Sequence, residues 1–179
     1  VSHAPYVVWE AEPPTRDFTL RAVGDFARVS PDGPEMDRVI EALVRNGTVL
    51  DPTLFVFARG LESDTARARL AWGAAFTRRA HRAGVALAAG TDGIGRPLAG
   101  ELPNVHRELE LLVEAAGLTP LEALAAGTLG GARALGIEDR TGSVRPGMDA
   151  DLVLLASDPR EDIRHTRAIV HLSLIHISE

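Results

Sequence analysis

Apolar residues follow two spacings along this chain of 179 residues, short unbroken runs and helical repeats. Unbroken runs lie within 1–9, 48–57 and 85–90, and such runs are typical of strands covered on both faces of a parallel sheet. Helical repeats fill the intervals, at 34–47 and 63–84. The order strand, helix, strand, helix, strand predicts right-handed βαβ units and an α/β fold.

Residues that favour helix ends support these boundaries. Ser63 or Asp64 can cap the start of the second helix. Farther along, Thr119 and Glu122 have the spacing of a capping box, in which each side chain accepts a hydrogen bond from the other residue's backbone N–H. Thr128 is predicted to begin another short helix.

Two features limit how far the regular pairing extends. Pro52 lies in the middle of the second apolar run, and it predicts that strand pairing ends there. From residue 141 onward turn glycines come close together, and a strand is predicted at 152–156. The C-terminal part is therefore expected to form β structure apart from the α/β unit.

Composition excludes several classes of function. The net charge of −6 gives no electrostatic reason to expect a nucleic-acid partner, because neutralising phosphates needs a basic face. Because the chain has no cysteine, any metal ion must be bound by His, Asp or Glu. No apolar run is long enough for a membrane span, and no signal-type segment is recognisable. The compartment stays open: a cytoplasmic location is favoured, and a secreted or periplasmic one is not excluded.

Asp92 is the first candidate for chemistry, because it directly follows the third apolar run in LAAGTDGIGRP, residues 87–97. Functional clefts of parallel α/β folds lie at the carboxyl ends of the strands. A carboxylate there can accept a proton from an attacking water, bind a metal ion or do both. It can equally cap the following turn. The glycines lack the spacing of a phosphate-binding loop.

His3 and His106 are the other candidates. His3 is placed near the end of the first run, where neutral imidazole can bind a metal ion or serve as a core or capping group. His106 is placed at the start of the helix after the Asp92 loop, where it can reach a substrate or pack against the helix surface.

Other polar residues favour a structural interpretation. Pro52 and Thr53 are expected in core or turn packing rather than in a pocket. Glu108, Glu110 and Glu114 resemble a carboxylate cluster, but they are expected to be surface charges on a helix.

Three ordered blocks carry a resemblance to a known family. They are AGVALAAGTDG at 83–93, the long segment at 104–136 that begins NVHRELELL, and GSVRPGMDADLVLLASDP at 142–159. Together they resemble the C-terminal part of the metal-dependent amidohydrolases, in the imidazolonepropionase-like and prolidase-like branch. The resemblance covers about residues 35–170.

The resemblance implies a fold. It implies the C-terminal part of a (β/α)₈ TIM barrel, about the last three strands, with part of a small β-sandwich. Residues 1–140 correspond to the partial barrel and 141–172 to the sandwich segment. Residues 173–179 depart from the family pattern and are interpreted as a non-native tail.

The resemblance also implies roles for two residues. Asp92 matches the family's strand-eight aspartate, which binds the metal ion and transfers the proton of the nucleophilic water. His3 matches the strand-six histidine ligand. The implied cofactor is a divalent metal ion, Zn²⁺ above all, as one or two ions, and the implied substrate is a small molecule or dipeptide with an amide or cyclic-amide C–N bond.

Several family elements are absent from the sequence. The first-strand His-x-His pair, the strand-four bridging residue and the strand-five histidine are missing, so we expect a fragment that is inactive alone, from a parent that can be a homo-oligomer. Two other functions remain open, a non-catalytic α/β binding module and a hydrolase of the same fold that acts on C–O or C–Cl bonds.

Overall fold

The computed structural model describes residues 1–11, 26, 28–59, 61–93 and 102–174, and it has the mixed α/β character that the pattern predicts. The Gly-rich loop after Asp92 and the last residues of the C-terminal tail, 94–101 and 175–179, lie outside the described residues.

Three chain segments lie side by side in parallel, and we call them the first (1–3), second (48–52) and third (85–90) parallel segments. Ser2 pairs with Asp51, and Leu50 pairs with Leu87. His3 N donates to Asp51 O at 2.9 Å, and Leu50 N donates to the carbonyl of residue 86 at 2.8 Å. The predicted order of three parallel segments is therefore present, although the pairing is limited to single bridges.

The first segment is shorter than the apolar run predicts. A 3₁₀ helix occupies Ala4–Ala11, where the sequence predicts strand. The backbone of His3 has φ 69°, and Tyr6 N donates to His3 O at 2.9 Å, so the chain turns out of the sheet immediately after the paired residues. The apolar side chains of this helix are still buried, which explains why the run resembles a buried strand.

The second segment ends where Pro52 predicts. A short helix, Leu54–Phe57, follows at once, with Thr53 in the left-handed conformation before it. Helix bounds along the chain are α1 Pro34–Arg45, α2 Leu54–Phe57, α3 Asp64–Arg82, α4 Val105–Glu114, α5 Pro120–Ala125 and α6 Gly131–Leu135.

Predicted helix caps are confirmed at two helices. Ser63 Oγ accepts from Ala66 N at 3.1 Å at the start of α3. At the start of α5, Thr119 Oγ1 accepts from Glu122 N, and the Glu122 carboxylate accepts from Thr119 N at 2.7 Å.

The helix predicted to begin at Thr128 does not begin there. A π-helical turn, Ala126–Gly130, joins α5 directly to α6, and Thr128 donates its hydroxyl to Leu124 O within it. The third parallel segment packs closely on this turn, since Ala89 N donates to Ala126 O at 3.1 Å. A side chain at Gly130 would place its Cβ 1.9 Å from the carbonyl oxygen of Leu87.

The apolar core lies between the parallel segments and the helices. α3 packs on the 3₁₀ helix, and α4 packs on α2. The largest fully buried apolar side chains are Phe76, Met36, Leu50, Leu54 and Leu112. The second segment contributes Leu50 to this core.

Two of the three glutamates predicted to be surface charges are buried. Glu108 is 0% exposed and Glu110 is 5% exposed, whereas the side chain of Glu114 is half-exposed. α4 is covered on one side by α2 and on another by the C-terminal segment, so Glu108 and Glu110 both face packed neighbours. The helical pattern alone did not reveal the second covered face.

Burial changes the acidity of Glu108. Removal from water raises its pKa to about 7; hydrogen bonds from Phe55 N and Leu54 N oppose this rise, and the Asp51 carboxylate adds to it. Glu110 has the opposite shift, because hydrogen bonds and charge from Arg167 and Arg107 outweigh burial and lower its pKa.

The C-terminal segment contains a two-stranded antiparallel sheet, β1 Leu152–Leu155 with β2 Ile169–Ser173. The strand predicted at 152–156 is therefore confirmed. A second 3₁₀ helix, Ile163–Arg167, comes between the two strands in the chain and packs on α4. Among the residues described, no helix combines the length and the hydropathy needed to cross a bilayer.

Gly130 and Gly131 form a matched pair for a stability test. We expect Gly130→Ala to lower the free energy of unfolding by about 2–4 kcal/mol, since its methyl group meets a backbone carbonyl that side-chain movement cannot relieve. Gly131→Ala meets no atom within 4 Å and is expected to raise it by about 0.5–1 kcal/mol, as alanine favours helix. Urea unfolding followed by circular dichroism measures both; equal effects would contradict the close packing.

The pKa of Glu108 predicts a pH dependence of stability. The folded chain keeps this proton up to about pH 7, whereas the unfolded chain releases it near the ordinary value of 4.5. Between these values the folded state binds more protons, so the Glu108 contribution to the free energy of unfolding falls by about 3 kcal/mol as pH rises. Urea titrations of the wild type and Glu108→Gln from pH 4.5 to 7.5 should show this as a changing difference; a constant difference would contradict it.

Candidate metal and catalytic site

The site residues lie where the three parallel segments end. His3 ends the first segment, Thr53 follows the second, and Asp92 follows the third. Asp51 N donates to Val1 O at 2.8 Å, which fixes the register between the first two segments. Because the segments are parallel, their carboxyl ends lie on one side of the molecule and bring these three side chains together.

His3 is the centre of the arrangement. Its Nδ1 lies 2.8 Å from Thr53 Oγ1, and its Nε2 lies 3.9 Å from Asp92 Oδ2. The side chain of His3 is 30% exposed and that of Asp92 is 53% exposed, so the pair opens to solvent. Thr53 is buried, as expected, but it also contacts a site residue, which the sequence interpretation did not predict.

Backbone strain coincides with the site. Among the residues that the structure describes, His3 (φ 69°), Thr53 (φ 52°) and Asp92 (φ 45°) are the non-glycine residues in the left-handed region. The left-handed conformation costs roughly 1–2 kcal/mol for such residues and is maintained only where surrounding contacts fix it. Its occurrence at all three positions marks this region as the candidate functional site.

Asp51 is a residue that the sequence interpretation missed. Its Oδ1 accepts from Gly90 N at 2.8 Å, and its Oδ2 accepts from Ser2 Oγ at 3.1 Å. Asp51 therefore links the third segment to the first, next to the residues that carry the site. Gly90 makes room for this carboxylate, because a Cβ there would lie 2.4 Å from Oδ2. The signal was available, since Asp51 also follows an apolar run directly.

Aromatic rings form a wall beside His3. Tyr6 and Phe57 both contact the imidazole edge to face, with ring centroids 5.3 Å and 6.0 Å away. Tyr6 is stacked on Trp9 with centroids 4.4 Å apart. A cleft of about 650 Å³ opens on the α1 side of His3 and Tyr6, but Asp92 does not line it.

His106 is buried against the C-terminal segment. Its Nδ1 lies 3.1 Å from Thr166 Oγ1, and burial together with the positive charge of Arg167 lowers its pKa. Nearby, Arg167 Nε donates to Glu110 Oε1 at 2.5 Å. These contacts attach α4 to the second 3₁₀ helix; a substrate contact by His106 remains a prediction.

The donor atoms of His3 and Asp92 fit a divalent metal ion such as Zn²⁺, which binds imidazole nitrogen and carboxylate oxygen. Two ligands of one tetrahedral ion lie roughly 3.4 Å apart, and the observed 3.9 Å is close to this value. The Thr53 hydroxyl lies at Nδ1, the ring nitrogen at which metal-binding histidines have an outer-shell partner, usually a carboxylate, a carbonyl or water. Within the described ranges, however, no group of three or more potential ligands occurs.

Two curated relatives match about half of the chain. An imidazolonepropionase of Deinococcus deserti is 42% identical over 89 residues, which are 50% of this chain and 22% of that protein. An ochratoxinase of Aspergillus niger is 38% identical over 96 residues, 51% of this chain and 18% of that protein. The chain thus spans about a fifth of the length of these relatives.

Solved structures agree with the sequence matches. The A. niger ochratoxinase structure superposes with a TM-score of 0.61 at 29% identity, over 75% of this chain and 33% of that one. A prolidase-type protein of Bifidobacterium longum gives 0.57 at 31% identity, over 70% and 33%. The model of the amidohydrolase family itself matches residues 26–173, most of the chain. The chain therefore belongs to the amidohydrolase family.

Proposed function

We propose that this chain supplies part of the metal-binding active site of a hydrolase that cleaves amide or cyclic-amide C–N bonds. The observation that carries the proposal is the approach of His3 Nε2 to Asp92 Oδ2, 3.9 Å, with the other ring nitrogen held by Thr53. Relatives named as an imidazolonepropionase, an ochratoxinase and a prolidase-type protein support this choice of bond.

The fold that accommodates this site is proposed to be an incomplete barrel. Residues 1–140 would contribute three consecutive strands and their helices to a (β/α)₈ barrel, and 141–172 would contribute to a β-sandwich, with 173–179 as a non-native tail. The parallel order of the three segments and the match to a third of each solved relative support this assignment.

In this proposal His3 Nε2 and Asp92 hold one of the metal ions, zinc above all, with the remaining ligands outside this chain. A bound divalent ion would supply the lowered pKa of a water molecule and the polarisation of the scissile carbonyl. Thr53 orients the imidazole so that Nε2 faces Asp92. Asp51 holds the ends of the first and third segments in register through Ser2 and Gly90.

Asp92 is the proposed proton carrier. Its half-exposed carboxylate has room to accept a proton from the attacking water and to deliver it to the leaving nitrogen. Tyr6, which lines the cleft beside His3, offers an aromatic surface for the apolar part of a small-molecule or dipeptide substrate, whereas Phe57 is buried. Since a metal ion would be only partly coordinated by two side chains, the chain alone is expected to be inactive.

Replacement of Asp92 tests the catalytic part. In a larger enzyme that contains this segment, Asp92→Asn is expected to lower kcat/KM for amide hydrolysis by about 10²–10⁴-fold, because asparagine cannot transfer the proton. Asp139→Asn, at an exposed turn carboxylate, is the matched control and is expected to leave the rate unchanged. Turnover of Asp92→Asn at the wild-type rate would remove Asp92 from catalysis.

Zinc titration of the chain tests the metal site independently of turnover. Isothermal titration calorimetry should detect weak binding of one Zn²⁺, and His3→Ala and Asp92→Asn should each weaken it by about tenfold or more, since each removes one of the two ligands. Asp139→Asn should bind like the wild type. Equal affinity in all four proteins would overturn the assignment of His3 and Asp92 as ligands.

A further inference from the structure

Glu108 contacts the turn that carries Thr53. Its Oε1 accepts a hydrogen bond from Leu54 N at 3.0 Å, and its Oε2 accepts one from Phe55 N at 2.6 Å. The side chain is fully buried, and it reaches this turn from α4, more than fifty residues farther along the chain. A buried carboxylate is costly unless its oxygens are hydrogen-bonded, so this position requires an explanation.

Thr53 does not cap the helix that it precedes. A threonine before a helix usually accepts a hydrogen bond from an N–H of the first turn, but Thr53 makes no such bond to α2. Its hydroxyl instead lies 2.8 Å from His3 Nδ1. Glu108 satisfies the first two N–H groups of α2 in its place, which leaves the Thr53 hydroxyl available to the imidazole.

We propose that Glu108 is a positioning residue that holds the Thr53 turn so that the threonine hydroxyl fixes the orientation of the His3 imidazole. This inference rests on the proposed function, in which His3 Nε2 binds a metal ion. Three consecutive contacts connect the buried carboxylate to the open site, from Glu108 to the backbone of α2, from Thr53 to His3 Nδ1, and from His3 Nε2 to Asp92.

The left-handed backbone of Thr53 makes such a support necessary. At φ 52° and ψ 43° a β-branched residue is strained, and without outside contacts the turn would relax. Relaxation would move the hydroxyl away from Nδ1. The two hydrogen bonds to Glu108 act on the residues immediately after Thr53, where they restrain the turn most directly.

Both carboxylate oxygens are needed, which explains why glutamate serves here. Above pH 7, where Glu108 is ionised, each oxygen accepts one N–H. Glutamine offers only one acceptor, and its NH₂ group would face the second N–H. Glu108→Gln therefore disturbs the turn while keeping the size and shape of the side chain. Glu110→Gln is a matched control, because Glu110 is also buried on α4 but pairs with Arg107 and Arg167.

The first readout is the ¹⁵N chemical shifts of the His3 ring in the metal-free chain at pH 8, where Glu108 is ionised, assigned by comparison with His3→Ala. The wild type should show one dominant neutral tautomer, with the proton on Nδ1 and the lone pair on Nε2. Thr53→Val and Glu108→Gln should both shift the ring toward a mixture of tautomers, whereas Thr53→Ser and Glu110→Gln should keep the wild-type pattern.

A double variant tests the route of the effect. If Glu108 acts through Thr53, then Glu108→Gln added to Thr53→Val should not change the ring shifts further. If Glu108→Gln does not fold, Glu108→Asp, which keeps the charge but withdraws it by one methylene, should give the same shift. A wild-type ring pattern in the folded Glu108 variant would overturn the proposal.

The second readout is Zn²⁺ affinity of the same proteins. We expect Glu108→Gln to weaken zinc binding by about tenfold, the size typical of outer-shell partners of metal-binding histidines, and Glu110→Gln to leave it unchanged. Zinc binding through His3 and Asp92 that is unaffected by Glu108→Gln would overturn the positioning role alone. Absence of zinc binding in the wild type, with the ring shifts still responding, would overturn the proposed function and leave the positioning of His3 by Glu108 through Thr53 standing.

Discussion

The carboxylate of Asp51 ties the ends of three parallel segments together, and the candidate site depends on this connection. Ser2 lies next to His3 in the chain, and Gly90 lies two residues before Asp92. The Asp51 carboxylate binds both Ser2 and Gly90, so it helps to position both site residues. Backbone pairing sets the register, but it consists of single bridges. The two side-chain hydrogen bonds of Asp51 add to this pairing, and a typical hydrogen bond contributes about 0.5–1.5 kcal/mol to stability.

The sequence predicted the parts of this molecule that local chemistry controls. Helical spacing predicted α1 and α3, and capping residues predicted the starts of α3 and α5. Pro52 predicted the end of the second segment. It did not predict the burial of Glu108, since the surfaces that cover α4 come from distant parts of the chain. The contact between Thr53 and His3 was missed for a different reason: threonine rarely adopts the left-handed conformation that Thr53 has here.

Solvent exposure increases steadily across the site. Glu108 and Thr53 lie in the core, His3 is partly exposed, and Asp92 is open to solvent. The interactions that fix the geometry are therefore protected from water, while the groups assigned to chemistry can reach a ligand. This division also explains why the interior tolerates a carboxylate, since both oxygens of Glu108 are occupied by backbone donors.

The left-handed backbone at His3 and Asp92 limits which amino acids these two positions can accept. Histidine, asparagine and aspartate tolerate this conformation better than most residues, and two of them are good ligands for zinc. Glutamate has the same carboxylate but not the same tolerance, so a longer acid at position 92 would strain the main chain that carries it. In a saturation library, the folding constraint would favour glycine, asparagine, aspartate and histidine at both positions, and the chemical constraint would keep only aspartate and histidine of these.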